Sequence, residues 1–276
     1  MFAELPHEKF HLVIPLFATL TFNTEVPSIL DGNTRGRIFV DDPDNPAVAL
    51  IWDGLIGLFL AGTPNRAGFN RGLQGWFAAE PIPQAQAHGM QELALTYTPN
   101  AWAAQLPQLL RDHKLTQELR CFHTHAGTPA ACPELDAAYT VLPVTAELLG
   151  HEDLKGRDWL RGWILPYWPT IEMYFDKGIG YVALVDDEAV ASLCVSVFAS
   201  GDALEFGTET HPVHRNHGLS TAVAAACVNS CLTRGSAPIW HCWDTNAPSI
   251  AVARKVGFHL EGKYTVYKLW IPASAN

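Results

Sequence analysis

The sequence predicts an α+β protein: a mixed, mostly antiparallel sheet flanked by helices. A smaller α+β half precedes it, and kinship with the second half is one reading of that part. Two observations carry this. Short apolar, β-branched and aromatic runs follow one another with only turn residues between them, the pattern of antiparallel meanders. The same plan, a meander followed by a strand and a helix, occurs twice along the 276 residues. Hydrophobic residues make up 48% of the chain, enough for a proper core in one large or two small domains.

After an opening stretch without a clear pattern, strand-like runs lie at Arg37–Asp41, Ala47–Trp52 and Gly57–Ala61. The turns between them carry Asp42, Pro43, Asn45 and Pro46, then Asp53 and Gly54. Proline fixes φ there, while Asn, Asp and Gly tolerate tight-turn geometry. A strand at Glu92–Thr98 precedes a helix at Ala101–Leu110. Residues 124–136, rich in Gly, Pro, Ala and Thr, mark a boundary between a domain over 1–130 and one over 137–276. The second half opens on a strand at Tyr139–Pro143 and helical segments carrying Trp159, Trp163 and Trp168. A meander follows at Gly180–Asp186, Ala189–Ser200 and Ala203–His211, turning at Asp186-Asp187 and around Gly201. The helix Thr221–Arg234 ends on Gly235, a natural position for a left-handed cap. Strand Pro238–Trp243, helix Pro248–Val256 and strand Lys263–Ile271 finish the chain.

The net charge is −10 and no dense Lys/Arg cluster occurs, so no nucleic-acid partner is expected. Glu4, His7, Glu8 and Lys9 interrupt the first apolar run, which argues against a secretory signal. No apolar run approaches the ~18 residues that a membrane span needs. The expectation is a cytoplasmic protein with no membrane partner, a monomer or a homodimer. Cys121, Cys132, Cys194, Cys227, Cys231 and Cys242 form no CxxC pair, which reads as reduced thiols, most of them in the core. Cys227 and Cys231, with His241 and Cys242 on the next strand, are the right residue types for zinc. Packing is the stronger reading, and no metal is expected.

The most informative segment joins the strand ending at His211-Pro212 to the small-residue helix that follows. Between them run Arg215, Asn216, His217, Gly218, Leu219, Ser220 and Thr221. The first amides of a helix have no intrahelical partner, and the helix dipole adds partial positive charge there. A diphosphate can sit on such amides where nothing bulky blocks it, and Gly218 supplies bare backbone. An ordinary strand–turn–helix with a structural glycine is the plain alternative.

This segment resembles the acetyl-CoA-binding core of the GNAT superfamily of N-acetyltransferases. That superfamily's loop reads Arg/Gln-x-x-Gly-x-Gly/Ala; here Arg215, Gly218 and Ser220 fill it, with Ser in the last place. The order of elements agrees too: strand, His-Pro, loop, helix, second strand, Asn246 seven residues before Ala253, then Lys255 to Phe258. The likeness covers about residues 139–270, and the first half looks like the partner half of a subfamily with an extended N-terminal region. It lacks the Arg-x-x-Gly loop and so would not bind cofactor in the same way.

The resemblance implies a GNAT-like fold and transfer of acetyl from acetyl-CoA, as co-substrate, to a primary amine of a small molecule or peptide by direct attack. It implies that Thr208, Glu209 and Thr210 meet the pantetheine and acetyl group through main-chain atoms. Arg215 and Asn216 to Thr221 would meet the diphosphate, and Asn246 the cofactor arm. Asn246 also reads as a helix N-cap before Pro248, and the two roles are compatible. Glu205 and Glu209, four apart and so on one strand face, are candidates to take the amine's proton. A solvated face or a structural ion pair is the alternative for each. The Tyr that many family members use as proton donor is Ala253 here, which leaves Tyr264, Tyr267 or water. Trp159, Trp163, Trp168, Tyr174 and Phe175 read first as core, and second as an aromatic acceptor pocket. His123 and His125 read as surface histidines. A non-catalytic acyl-CoA-binding or sensing module is the alternative function.

Overall fold

The computed structural model describes residues 1–272. The chain forms two compact units, Met1–Leu119 together with the chain from Tyr264 onward, and Arg120–Lys263.

In the first unit, β1 (Ala3–Leu5) leads through two 3-10 stretches, His7–Leu12 and Ile14–Leu20, to α1 (Glu25–Leu30). Strands β2 (Arg37–Val40), β3 (Val48–Trp52) and β4 (Gly57–Gly62) follow, and β1 to β4 pair antiparallel in sequence order. Helices α2 (Ala67–Ala79) and α3 (Pro81–Ala87) carry the chain across to β5 (Glu92–Thr98), which lies parallel to β4. After α4 (Trp102–Leu109), the unit's last strand comes from the end of the chain: Val266–Trp270 pairs antiparallel with Glu92–Thr96.

Every residue of β3 is buried, and its alternation explains why. Val48, Leu50 and Trp52 pack with Phe69, Leu73, Trp76 and Phe77 of α2. Ala49 and Ile51 pack with Phe10, Val13, Phe17 and Ile29. Successive side chains point to opposite faces, so a strand covered on both sides reads as a continuous apolar run.

Strand β6 (Leu115–His125) enters the second unit at Arg120 and is followed by β7 (Tyr139–Pro143), α5 (Ala146–Gly150), α6 (Arg157–Gly162) and α7 (Ile171–Lys177). Strands β8 (Gly180–Val185), β9 (Ala189–Ser200) and β10 (Ala203–Thr210) continue β7 as an antiparallel meander. Asp186 and Asp187 turn between β8 and β9 with φ of 51° and 58°, the two positive values of a type I′ hairpin. Helix α8 (Leu219–Thr233) crosses to β11 (Ala237–Trp243), which runs parallel to β10 and antiparallel to β6. Then come α9 (Ala247–Lys255) and β12 (Phe258–Trp270). Small residues of α8, among them Ala224, Ala225 and Cys227, are buried in one cluster with Val182, Leu193 and Val195 of the sheet.

Both units therefore share one plan: a four-strand meander, a helical crossover to a parallel fifth strand, and an antiparallel sixth. The fold is α+β, a mixed and mostly antiparallel sheet flanked by helices, preceded by a smaller α+β half. The opening elements, from β1 to α1, have no counterpart in the sequence reading, and two further parts were not anticipated. Helices α2 and α3 were not expected in 67–87, and β6 occupies the stretch that leads into the presumed boundary. Residues 124–136 fall within the second unit. Among the described residues no helix is long and apolar enough to cross a membrane.

Candidate active site

Strand β10 is shared between two neighbours only at its start. Its parallel register with β11 covers Ala203↔Ala237, Leu204↔Pro238 and Glu205↔Ile239. Its register with β9 runs on to Thr210↔Ser192, with a bulge that sets Glu205 against Phe198 and Phe206 against Ser196. On the other side, β11 continues against β6 through Trp243. Beyond Glu205 the ladder between β10 and β11 stops, while β10 stays paired with β9 as far as Thr210. The bulge's extra residue, Val197, lies on β9, so the bend it brings belongs to that strand.

The end of β10 is tied to the start of α8 through hydroxyls. Thr210 Oγ1 lies 2.7 Å from Ser192 Oγ and 2.5 Å from Ser220 Oγ. Ser192 Oγ donates to the Glu209 carbonyl at 3.0 Å, and Thr208 Oγ1 to the Leu193 carbonyl at 2.7 Å. Arg215 Nε donates to the Thr210 carbonyl at 3.3 Å. Asn216 and Gly218 both take left-handed backbone, φ 67° and 78°. A Cβ placed on Gly218 would meet a single atom, Leu135 Cδ2 at 3.8 Å. The Cβ side of Gly218 therefore faces open space, and in the first turn of α8 Leu219 is buried and Thr221 half-buried. His217 and His214 flank the Tyr139 ring at 5.7 and 5.8 Å.

The carboxylates on β10 have different surroundings. Glu205 is 6% exposed, deep in the sheet. Glu209 is half-buried, and its Oε2 accepts two indole N–H groups, Trp159 Nε1 at 3.0 Å and Trp163 Nε1 at 2.9 Å. Between the two on the same face, Gly207 leaves room for Trp163: an added Cβ would stand 2.6 Å from its Cζ3. Trp159 and Trp163, read first as core, are half-buried and turned toward Glu209, whereas Trp168 and Tyr174 are core.

The remaining candidates lie elsewhere. Asn246 caps α9, its Oδ1 accepting from Ser249 N at 3.2 Å. Ala253 is fully buried in the second unit's core. Tyr264 and Tyr267 belong to the first unit. Tyr267 stacks on Tyr97 and donates to the Ala103 carbonyl at 2.8 Å, and burial pushes its phenol above the ordinary value. Tyr264 accepts from Asn23 Nδ2 at 3.3 Å and meets Phe22 edge-on. His123 is buried rather than at the surface, because it alternates inward on β6; burial depresses its pKa. Cys227 donates to the Cys194 carbonyl at 3.1 Å, and burial holds its thiol well above the ordinary value. Among the described residues no three His, Cys, Asp or Glu side chains gather as a metal-holding group.

The family model for GNAT acetyltransferases matches residues 14–267, and the chain belongs to that family of enzymes. An uncharacterized N-acetyltransferase of Bacillus subtilis (strain 168), YdfB, is 24% identical over 264 residues, 96% of this chain and 97% of its own. A GCN5-related N-acetyltransferase-like protein from Streptococcus suis 89/1591 shares 23% identity at a TM-score of 0.70, over 95% of this chain and 98% of its own. A GCN5-related N-acetyltransferase from Sphaerobacter thermophilus is 13% identical at 0.62, over 100% and 98%. A tandem GNAT protein from the clavulanic acid biosynthesis pathway is 16% identical at 0.58, over the whole of both chains. At such identities the solved structures establish the fold.

Proposed function

We propose that the second unit takes acetyl-CoA as co-substrate and passes its acetyl group to a primary amine by direct attack, without a covalent enzyme intermediate. The observation that carries this reading is the parting of β10 from β11 after Glu205, just ahead of the open turn at Gly218. The freed edge at Thr208, Glu209 and Thr210 suits the amide-bearing pantetheine arm. Arg215 and the amides from Asn216 to Thr221 suit a diphosphate, and Asn246, on α9, is free to use its amide nitrogen toward the arm. Ser220 contributes its amide, since its hydroxyl is engaged by Thr210.

The acceptor is a small-molecule or peptide amine, with no nucleic acid and no membrane involved. The protein is cytoplasmic, a monomer or homodimer. Glu209 and Glu205 remain the two groups able to accept the amine's proton, and Glu209 is favoured because Glu205 is closed in by the sheet. A thiolate leaves without full protonation, since an ordinary thiol has a pKa near ~8.5. Water, Tyr264 or Tyr267 then need supply little acid catalysis. Residues 1–130 and 137–276 are two related α+β domains in sequence, and only the second carries the loop. In the first, Met1 N would lie 2.9 Å from a Cβ on Gly68, and Phe2 covers Gly72, so the start of α2 is occupied by the protein's own chain.

A calorimetric titration with acetyl-CoA, followed by thiol release over polyamines, amino sugars, amino acids and peptides, tests this. Binding with release on an amine supports the reading. Binding without release on any amine favours a non-catalytic acyl-CoA-binding or sensing module, for which the buried Ala253 speaks. No binding overturns both.

A further inference from the structure

We infer that Trp159 and Trp163 are positioning residues: they clamp one oxygen of Glu209 so that its other oxygen is presented to the ammonium group of a cationic acceptor. The acceptor's part in this rests on the acetyl-transfer reading, and the clamp on two hydrogen bonds.

The two indoles are four residues apart, one turn of α6 and its C-terminal cap, so they project side by side. Both N–H groups converge on Oε2 of Glu209, at 3.0 and 2.9 Å. An indole N–H can only donate and a carboxylate oxygen accepts, so the donors and acceptor match. Two donors on one oxygen fix the side-chain rotamer. The indoles leave Oε1 uncommitted, on a residue that is half-buried.

A second observation is independent of the hydrogen bonds. Gly207, on the same face of β10 as Glu209, lies under the Trp163 ring; an added Cβ would be 2.6 Å from Cζ3 and 3.2 Å from Cε3. The strand thus lacks a side chain where the benzo ring of Trp163 packs on it. Trp159 also meets His211 edge-on at 6.3 Å, which connects the clamp to the loop that precedes α8. A charged oxygen beside two partly exposed indole rings is chemistry for a cation: the oxygen takes an N–H of the ammonium, and the ring faces favour positive charge. A neutral acceptor gains neither.

The test needs neither cofactor nor turnover. The full-length protein, labelled with nitrogen-15 at tryptophan, gives one indole signal for each of nine tryptophans. Trp159→Phe and Trp163→Phe assign the two in question. In Glu209→Ala those two signals are expected to move upfield and their protons to exchange about tenfold faster, the factor that loss of a modest hydrogen bond confers, while the others hold. Titration with n-butylamine should shift both signals in the wild type and not in Glu209→Ala, and n-butanol should shift neither. Trp163→Phe and Gly207→Ala should each weaken the butylamine response about tenfold, on the same scale. Unmoved indole signals in Glu209→Ala overturn the clamp. An equal response to amine and alcohol, or an undiminished one in both Trp163→Phe and Gly207→Ala, overturns its role. Acetyl-CoA is absent throughout, so a failure of the cofactor assignment is read separately by the calorimetric titration.

Discussion

Gly218 is the position where backbone conformation and ligand access can be separated. Its φ of 78° lies in the left-handed region, which costs an L-residue with a Cβ about 1–2 kcal/mol. Asn tolerates that region better than other residues, and a β-branched side chain tolerates it worst. The space around the missing Cβ is open apart from Leu135 Cδ2 at 3.8 Å, so sterics add nothing in the free protein. Gly218→Asn should therefore cost the fold at most about 1 kcal/mol, and Gly218→Val about 2 kcal/mol or more. For a domain of this size that corresponds to melting-temperature losses of about 2–4 °C per kcal/mol. Binding should respond differently. Either side chain fills the room through which a diphosphate would reach the first amides of α8, so acetyl-CoA affinity should fall at least about tenfold in both variants, the equivalent of one lost hydrogen bond to charge. Thermal melts without ligand and calorimetric titration with acetyl-CoA separate the two effects. A Gly218→Asn protein that folds and binds acetyl-CoA as tightly as the wild type would sink the assignment of the cofactor to this turn.

Glu209→Gln should depress turnover on a verified amine by at least tenfold, within the ~10²–10⁴ range of a general base, with acetyl-CoA affinity little changed. Glu205→Gln measured alongside decides between the two carboxylates, and Tyr264→Phe and Tyr267→Phe should each cost less; full turnover in both Gln variants with a dead Phe variant reverses the roles. The Tyr174 hydroxyl is buried without a hydrogen-bond partner among the described residues, so Tyr174→Phe should leave stability unchanged or raise it by up to ~1 kcal/mol in chemical denaturation. A loss larger than that would mean the hydroxyl has a partner. Burial pushes Asp53 up from 3.8 to about 6, against hydrogen bonds from Leu55 and Gly57 that pull it down. The native state then holds this proton more tightly than the unfolded chain, so its contribution is full below about 3.8 and is lost as pH rises through about 6. Denaturation of Asp53→Asn against wild type across that window should show a smaller decline with pH in the variant; parallel curves refute the linkage.

Much of this fold is legible in the residue order, and the exceptions have physical causes. The meander β8–β9–β10 is announced by its apolar runs and by the Asp186-Asp187 pair, which the structure places in left-handed backbone. Helix α2 is hidden because Gly68, Gly72 and Gly75 dilute its pattern, and two of them are small to accept Met1 and Phe2. Strand β6 is hidden because it is mixed in polarity, with Cys121 and His123 inward and Gln117, Leu119 and Thr124 more open. Its strand partner, β11, lies more than a hundred residues away in sequence. At the site, the turn at Gly218 follows from local residue order, whereas the convergence of Trp159 and Trp163 on Glu209 does not. Their spacing of four was visible, but not which face of α6 would meet β10.

The two units also show why a shared plan does not give a shared site. Each places a helix after the fourth strand of a meander, and each helix begins near glycine. In the second unit Gly218 takes positive φ ahead of the helix, its missing side chain faces open space, and the strand beside it has parted from its parallel neighbour. In the first, β4 stays paired with β5 over five residues, Gly57↔Ala94 to Ala61↔Thr98, and Gly68 and Gly72 are covered by Met1 and Phe2. There glycine makes room for the protein's own chain, and in the second unit it leaves room for something else. An unoccupied helix start beside an unpaired strand edge carries unsatisfied amides and carbonyls that only solvent or a ligand can meet. On the acetyl-CoA reading proposed above, binding depends on where the ladder stops, and a substitution that extended the β10–β11 pairing past Glu205 is expected to abolish it without touching the loop.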